Sequence, residues 1–163
     1  MGVSMQNSIY QLDQFFECEI MTHDHETLKF LGQDIETLAY LYPEIKSWYW
    51  NIFAKGFEGH EREILIAKEK SGQLAGFSLL KNTFFEKKIC TFYILPEFRE
   101  SGLGRKLLPV AIDVIGGKDI GITVSESVDK FLKPLLLSNG FEFESIESGL
   151  YLPQHKEIFY KLD

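Results

Sequence analysis

The chain has 163 residues, of which 45% are hydrophobic and 25% charged, values typical of one globular domain covering residues 1–163. A formal charge of −7 argues against a nucleic-acid surface, which would need many lysines and arginines facing phosphates, and it suits a cationic substrate. No apolar run approaches the roughly 20 residues of a membrane helix, and the first residues carry no signal-peptide pattern, so we expect no membrane association.

The first part of the chain predicts a strand and then a helix. Residues 1 to about 8 are polar and are expected to be frayed, whereas residues 15–21 are rich in the aromatic and apolar side chains typical of a strand. Either Thr22 or Asp24 can cap the helix that follows, because both side chains accept hydrogen bonds from the free amides at a helix start. Apolar residues at spacings of three and four carry this helix as far as Leu38.

The histidines and cysteines predict neither a metal site nor a disulfide. His23 and His25 flank one aspartate, but two histidines without a third ligand at a known spacing are a weak zinc signal, so we expect no metal. The only cysteines, Cys18 and Cys90, cannot build a disulfide framework. A chain of this kind is expected in the reducing cytoplasm.

Pro43 opens a second predicted helix, in which Trp48, Tyr49, Trp50 and Phe53 are crowded together. These rings cannot all face one core, because a helix spreads consecutive side chains around its circumference. Two interpretations stay open: the rings line a substrate groove or a partner surface, or they form an aromatic core with one exposed ring.

The middle of the chain predicts three consecutive strands. Residues 63–67 and 74–81 flank a polar turn and are expected to form a hairpin. Residues 89–95 are dense in β-branched and aromatic side chains, which indicates a strand buried on both faces. Pro96 ends this third strand.

A loop with two glycines follows the third strand and leads into a helix. It contains Arg99, Gly102 and Gly104, and its glycines can adopt positive φ and keep a Cβ away from a ligand. The helix behind it carries an apolar stripe from Leu103 to Ile115 at spacings of three and four. Free amides at such a helix start, together with the helix dipole, favour a bound anion. An ordinary strand-to-helix turn is the alternative, but it does not explain an arginine at this distance from two glycines.

This arrangement resembles motif A of the GNAT family of N-acetyltransferases, in which Arg/Gln-x-x-Gly-x-Gly/Ala lies between a central strand and a helix. The resemblance implies that acetyl-CoA is the cofactor and that its pyrophosphate lies against the amides of the loop. By the same resemblance, the residues expected to contact the cofactor are Phe92, Tyr93, Ile94, Arg99, Glu100, Ser101, Gly102, Leu103, Gly104 and Arg105.

The C-terminal third follows the same plan. Residues 119–124 predict a strand, a capped helix follows, and the pair Gly140 and Phe141 resembles the close of GNAT motif B. Residues 142–146 and 157–162 are expected to form the last strand pair. The resemblance implies an α/β (α+β) fold with a central, mixed, mostly antiparallel, twisted sheet of about six to seven strands and about four flanking helices.

The resemblance also implies the reaction: transfer of an acetyl group from acetyl-CoA to a primary amine that attacks directly in a ternary complex. Glu86 is the only carboxylate near the place where several family members hold a general base, although an ordinary surface charge explains it as well. Many family members carry a tyrosine acid one helical turn before the glycine of the Gly-Phe pair, and Leu136 stands there. The remaining candidates for the acid are Tyr93, Ser138, Tyr151 and His155.

In the GNAT family, the region between the first two strands shapes the acceptor side. The resemblance therefore makes Trp48, Tyr49 and Trp50 candidates for substrate binding, together with Tyr151. The acceptor stays open between a small-molecule amine and a protein lysine, and the chain is expected to be a monomer or a homodimer.

Two other functions stay open. A CoA-binding regulatory module that has lost turnover would account for Leu136 at the position of the acid. A nucleic-acid-modifying enzyme of the same fold would need a basic groove, which the net charge of −7 disfavours.

Overall fold

Eight strands form one open sheet within residues 8–163, the part of the chain that the structure, a computed structural model, describes. The strands are β1 (Ser8–Gln11), β2 (Phe16–Ile20), β3 (Arg62–Glu69), β4 (Leu74–Asn82), β5 (Lys87–Ile94), β6 (Ile120–Ser125), β7 (Glu142–Ser148) and β8 (Lys156–Leu162). Their order across the sheet is β1-β2-β3-β4-β5-β6-β8-β7, and only β5 and β6 are parallel. The expected fraying of residues 1–7 lies outside the described part.

Five α-helices accompany the sheet in the described residues: α1 (His25–Glu36), α2 (Ile45–Trp48), α3 (Ala54–Glu58), α4 (Leu103–Ile115) and α5 (Glu126–Ser138). The π-helical turn Tyr49–Phe53 joins α2 and α3 into one continuous helical segment. Counted in this way, the five α-helices of the described residues form four helical segments, which agrees with the predicted number of about four. Asp24 caps α1 as expected, because its carboxylate accepts a 2.9 Å hydrogen bond from the Thr27 amide. None of the helices in the described part is long and apolar enough to cross a membrane.

The predicted fold class is confirmed, with one strand more than expected. The additional strand is β1, whose four residues carry no strong pattern of their own. Its backbone pairs with β2 from Ser8 opposite Ile20 to Gln11 opposite Glu17. Pairing with an existing strand, rather than intrinsic propensity, therefore accounts for β1.

Helices cover both faces of the sheet, and each face has its own hydrophobic core. On β3, Ile64 and Ile66 pack on the side of α1 to α3, whereas Leu65 and Ala67 pack on the side of α4 and α5. All four are fully buried. Because strand side chains alternate between faces, a strand covered on both sides is apolar at every position.

Burial of β5 differs from the prediction, since only its first half is enclosed by neighbouring strands. β5 pairs with β6 only from Lys87 to Ile89. A bulge in the ladder with β4 leaves Cys90 as an extra residue at that point, and bulges bend and twist a strand. Beyond the bulge, β5 no longer pairs with β6, and residues 91–94 are only half-buried.

The aromatic helix contains a buried ladder of rings with a tryptophan on either side. Tyr49, Phe53 and Phe57 are fully buried and stack with ring centroids 5.8 Å and 6.1 Å apart. Trp48 and Trp50 are half-buried. The core interpretation therefore holds for Tyr49 and Phe53, and the π-helical turn lies in a helix that is packed against the sheet.

Gly76 on β4 should resist substitution because it faces β5 at close range. A Cβ there would lie 2.9 Å from the Tyr93 carbonyl oxygen and 3.0 Å from the Ile94 side chain. We expect Gly76→Ala to lower the free energy of unfolding by about 1–3 kcal/mol, as overpacking does. Gly104→Ala is the matched control, since its nearest neighbour, Leu135, would lie at an ordinary 3.6 Å. Urea denaturation measures both variants, and equal stability would contradict the close approach.

Candidate functional site

An opening between β5 and β6 interrupts the sheet. Beyond Ile89 the two strands no longer pair with each other. The Leu95 amide donates to the carbonyl oxygen of Ala75 on β4 at 2.9 Å. Because successive strand residues direct their backbone groups to opposite edges, the amides of Phe92 and Ile94 point away from β4 into the opening. The opening therefore offers backbone donors to a ligand lying along β5.

The glycine loop lies at the end of β5 that borders this opening. Gly102 is the N-cap of α4 and has a φ of +84°, a left-handed conformation that favours glycine. Within residues 8–163, no loop hydrogen bond engages the amides of Glu100, Ser101 and Gly102, and the Leu103 amide makes a long 3.3 Å bond to the Ser101 hydroxyl. The next amides of α4 also lack intrahelical acceptors. Loop and helix start together present free donors at the positive end of the helix dipole.

Arg99 fastens the loop to the end of the strand. Its Nε donates to the Ile94 carbonyl oxygen at 3.1 Å, and its guanidinium lies 5.5 Å from the centre of the Tyr93 ring. These contacts occupy the Ile94 carbonyl and leave the Ile94 amide free on the same edge. The arginine is otherwise exposed, so its remaining N–H groups can reach an anion at the loop.

The space beside Gly102 in the loop is open. A Cβ at Gly102 would meet no atom within 4 Å, so no side chain fills the region beside it. A Cβ at Gly104 would meet Leu135, Ile94 and Phe92 at 3.6, 3.8 and 3.9 Å, so this glycine faces the wall between β5 and α5. Anions bind in proteins at helix starts of this kind. The structure thus brings the residues predicted to contact the cofactor, 92–94 and 99–105, together along one edge.

Glu86, the predicted general base, lies at the other end of β5 from the glycine loop. Lys81 Nζ donates a 2.8 Å hydrogen bond to its Oε1, and this bond is the main reason that the pKa of the carboxyl is lowered. A lowered pKa makes a carboxylate a weaker base. The geometry therefore disfavours Glu86 for proton removal.

The helix α5 offers no proton donor at the position of the family's tyrosine. Leu136 is fully buried there and belongs to the core beneath α4 and α5. Among the other candidates, Ser138 donates to the Leu135 carbonyl oxygen at 2.9 Å at the far end of the helix. Tyr93 lies on β5 beside the opening, with its ring 5.5 Å from Phe77 on the α1 to α3 side.

The residues predicted to bind substrate do not form one surface. Tyr49 has no exposed area, and its hydroxyl donates to a backbone carbonyl of α1 at 2.7 Å. Trp50 packs onto α1, where a Cβ at Gly32 would lie 3.2 Å from its ring. Trp48 lies beside the buried Arg62, whose guanidinium is 5.8 Å from the indole.

Tyr151, the fourth of these residues, belongs to a separate cluster around a carboxylate that the sequence analysis missed. Glu157 on β8 is 2% exposed, and its Oε2 has no hydrogen-bond partner in the described residues. It lies opposite Ser125 of β6, and the rings of Tyr42 and Tyr151 meet edge to face at 5.1 Å. The sequence carried one signal for this position. Side chains of a strand alternate between its two faces, so Glu157 lies on the face opposite to that of Ile158 and Tyr160.

Burial determines the protonation of this cluster. It raises the pKa of Glu157 to about 7. Burial also raises the pKa of Tyr42 and Tyr151, and the negative charge of Glu157 raises both further. The Ser125 hydroxyl acts on Tyr42 in the opposite direction. The cluster thus combines a carboxyl that titrates near neutral pH with two phenols that stay protonated.

A family model described as the acetyltransferase (GNAT) family matches residues 29–130 of the chain. No curated protein matches the sequence significantly. Among solved structures, a protein assigned to the GNAT family from Desulfovibrio desulfuricans gives a TM-score of 0.71 at 16% identity, over 91% of this chain and 98% of that one.

Two further solved structures agree with this match. A ribosomal-protein alanine N-acetyltransferase from Escherichia coli gives a TM-score of 0.69 at 22% identity, over 89% of this chain and 92% of its own. An acetyltransferase from Bacillus subtilis in complex with CoA gives 0.62 at 17% identity, over 90% and 97%. At these identities, the likeness shows a shared fold.

Glu157→Gln should make stability less dependent on pH. The folded protein holds the Glu157 proton up to a pH of about 7, whereas an ordinary glutamate loses it near 4.5. Wild type should therefore lose about 2–3 kcal/mol of stability relative to the variant as the pH rises through this window, because the buried carboxyl must ionise. Denaturant unfolding of both proteins at about pH 4.5 and about pH 8 measures the change. If the difference in unfolding free energy between wild type and Glu157→Gln stays constant with pH, the result would contradict a buried, unpaired carboxyl.

Proposed function

Because the chain belongs to the GNAT family of acetyltransferases, we propose that it transfers an acetyl group from acetyl-CoA to a primary amine in a ternary complex. The supporting observation is the opening beside β5, which free amides border from Phe92 to the start of α4. Acetyl-CoA, when bound, supplies the thioester from which the acetyl group is taken. The neighbour from Bacillus subtilis was solved with CoA, which agrees with this cofactor.

The glycine loop is proposed to bind the pyrophosphate of the cofactor. The amides of Glu100, Ser101 and Gly102 are free of loop hydrogen bonds in the described residues, and the first turn of α4 adds further donors. Arg99 contributes positive charge next to them. A side chain at Gly102 would project into the open space where the anion is expected, which accounts for the glycine.

The edge of β5 is proposed to bind the pantetheine arm. The amides of Phe92 and Ile94 point into the opening, so an extended chain can pair with them as an added strand does. One of these amides can also donate to the thioester oxygen, where negative charge develops during attack by the amine. Backbone groups perform both tasks, so no particular side chain is required at these positions.

A CoA-binding module without turnover is the second candidate, and Leu136 is the observation that favours it. The position that holds a tyrosine acid in many family members is a fully buried leucine here. Transfer can still proceed if Tyr93 or water protonates the leaving thiolate, because a thiol with an ordinary pKa of about 8.5 gives a thiolate that can leave before it is protonated.

Release of free thiol from acetyl-CoA distinguishes the two candidates. The protein is incubated with acetyl-CoA and a panel of primary amines, and CoA binding is measured separately by calorimetry. Thiol release that depends on an amine supports the transferase. CoA binding without release across the panel favours the module, and the absence of both contradicts each proposal.

Gly102→Asp should weaken CoA binding, because it places a carboxylate where the pyrophosphate is proposed to lie. Gly102→Asn is the matched control, since asparagine has the same shape, carries no charge, and tolerates a left-handed conformation as aspartate does. We expect the aspartate variant to bind CoA about tenfold or more weakly than the asparagine variant, with a gap that narrows at high salt. Calorimetric titration with CoA measures both. Equal affinities would contradict the placement of the pyrophosphate.

A further inference from the structure

Outside the cofactor loop, the carboxylate of Glu157 is the feature that most needs a partner. Its side chain is 2% exposed, and its Oε2 has no hydrogen-bond partner among the described residues. An unpaired polar atom in the interior is costly, and an unpaired charge is more costly still. A carboxylate held in this state is suited to a partner that comes from outside the chain.

The carboxylate points to the side of the sheet that α1 to α3 cover. Its neighbours Ile158 and Tyr160 pack into the core beneath α4 and α5, and side chains of a strand alternate between faces. Glu157 lies opposite Ser125, the last residue of β6. Since β6 borders the opening, the carboxylate is one strand away from the path proposed for the thioester.

Two phenols lie beside this carboxylate. Tyr42 precedes α2, Tyr151 lies between β7 and β8, and their rings are 5.1 Å apart at an angle of 82°. Tyr42 packs against the core on this face of the sheet, and the charge of Glu157 raises the pKa of both phenols, so the three side chains lie in one region. Tyr151 is 43% exposed, so the cluster reaches the protein surface at this ring. Aromatic rings around a carboxylate form a site that binds an organic ammonium ion.

The charges around the cluster also favour a cation. Glu147 lies opposite Glu157 in the ladder between β7 and β8, and its negative charge raises the pKa of Tyr151. No lysine or arginine in the described part of the chain forms an ion pair with Glu157. The net charge of −7 draws cations towards the protein as a whole.

We propose that Glu157, Tyr42 and Tyr151 form the acceptor site, and that the site takes the alkylammonium group of a polyamine or a lysine, paired with Glu157. The proposal rests on the proposed acetyl transfer. It makes Glu157 a catalytic residue, because the carboxylate that binds the ammonium is also placed to remove its proton. It replaces Glu86, which is already paired with Lys81.

The protons and bonds of the acetyl transfer can be accounted for with these groups. The ammonium gives one proton to Glu157 and becomes a neutral amine. The amine nitrogen then forms a bond to the acetyl carbon while the bond from that carbon to sulfur breaks, and CoA leaves as a thiolate. The nitrogen loses a second proton on becoming an amide, which neutralises the thiolate, and Glu157 returns its proton to solvent.

The test compares Glu157→Gln with Glu157→Asp and with Glu142→Gln. Glu142→Gln removes the same charge from an exposed residue of β7 that lies opposite Lys161, away from the cluster, and is the matched control. With putrescine and lysine amide as acceptors, Glu157→Gln should lower kcat/KM by about 100-fold or more, as the loss of a general base does. The aspartate variant should keep part of the activity and Glu142→Gln all of it. CoA affinity should stay unchanged throughout, because none of these side chains lies at the glycine loop.

The outcomes separate this proposal from the proposed function. Full activity of Glu157→Gln would overturn the acceptor site while leaving acetyl transfer intact. If wild type binds CoA but acetylates neither amine, acetyl transfer to amines fails, and titration of putrescine into the CoA-saturated protein then tests the site alone. If putrescine binds to wild type but not to Glu157→Gln, the ammonium site is supported. If putrescine does not bind to wild type, the ammonium site is overturned. A preference for lysine amide over putrescine indicates a protein acceptor.

Discussion

The extra residue at Cys90 is the constraint on which the rest of the structure depends. It bulges β5 out of register with β4 immediately after the last pairing with β6. β4 and β8 still hold the two separated strands in place, so the break does not unravel the sheet. Sheets normally pair all their interior amides, and here the remaining half of β5 keeps donors free for a ligand.

The two ends of the proposed reaction use opposite electrostatics on the two sides of that opening. The start of α4, with Arg99 beside it, collects positive potential where an anionic cofactor is proposed to bind. The face beneath α1 to α3 holds the buried carboxylate of Glu157, which suits a cationic acceptor. The two substrates would therefore approach from different sides and meet at β5, which favours direct attack over a covalent enzyme intermediate.

The aromatic residues of the second helix serve mainly to fill the core between the sheet and α1 to α3. The stacked ladder of Tyr49, Phe53 and Phe57 fills the core under this helix, and Arg62 lies with its guanidinium 5.4 Å from the Phe53 ring. Trp50 fits closely against α1 only because Gly32 has no side chain. The aromatic rings of this helix thus go into packing, whereas Tyr42 and Tyr151 lie beside the proposed acceptor site.

The sequence by itself determined the family, the order of strands and helices from β2 onward, and the glycine loop, because these depend on local spacing: apolar residues three and four apart, alternation in strands, and two glycines at the start of a helix. Only the tertiary structure decided where β5 separates from β6, that Tyr49 belongs to the core, and that Glu157 is buried beside Tyr42 and Ser125. Pairing and burial arise from contacts between residues that lie far apart in the chain. No local pattern records those contacts.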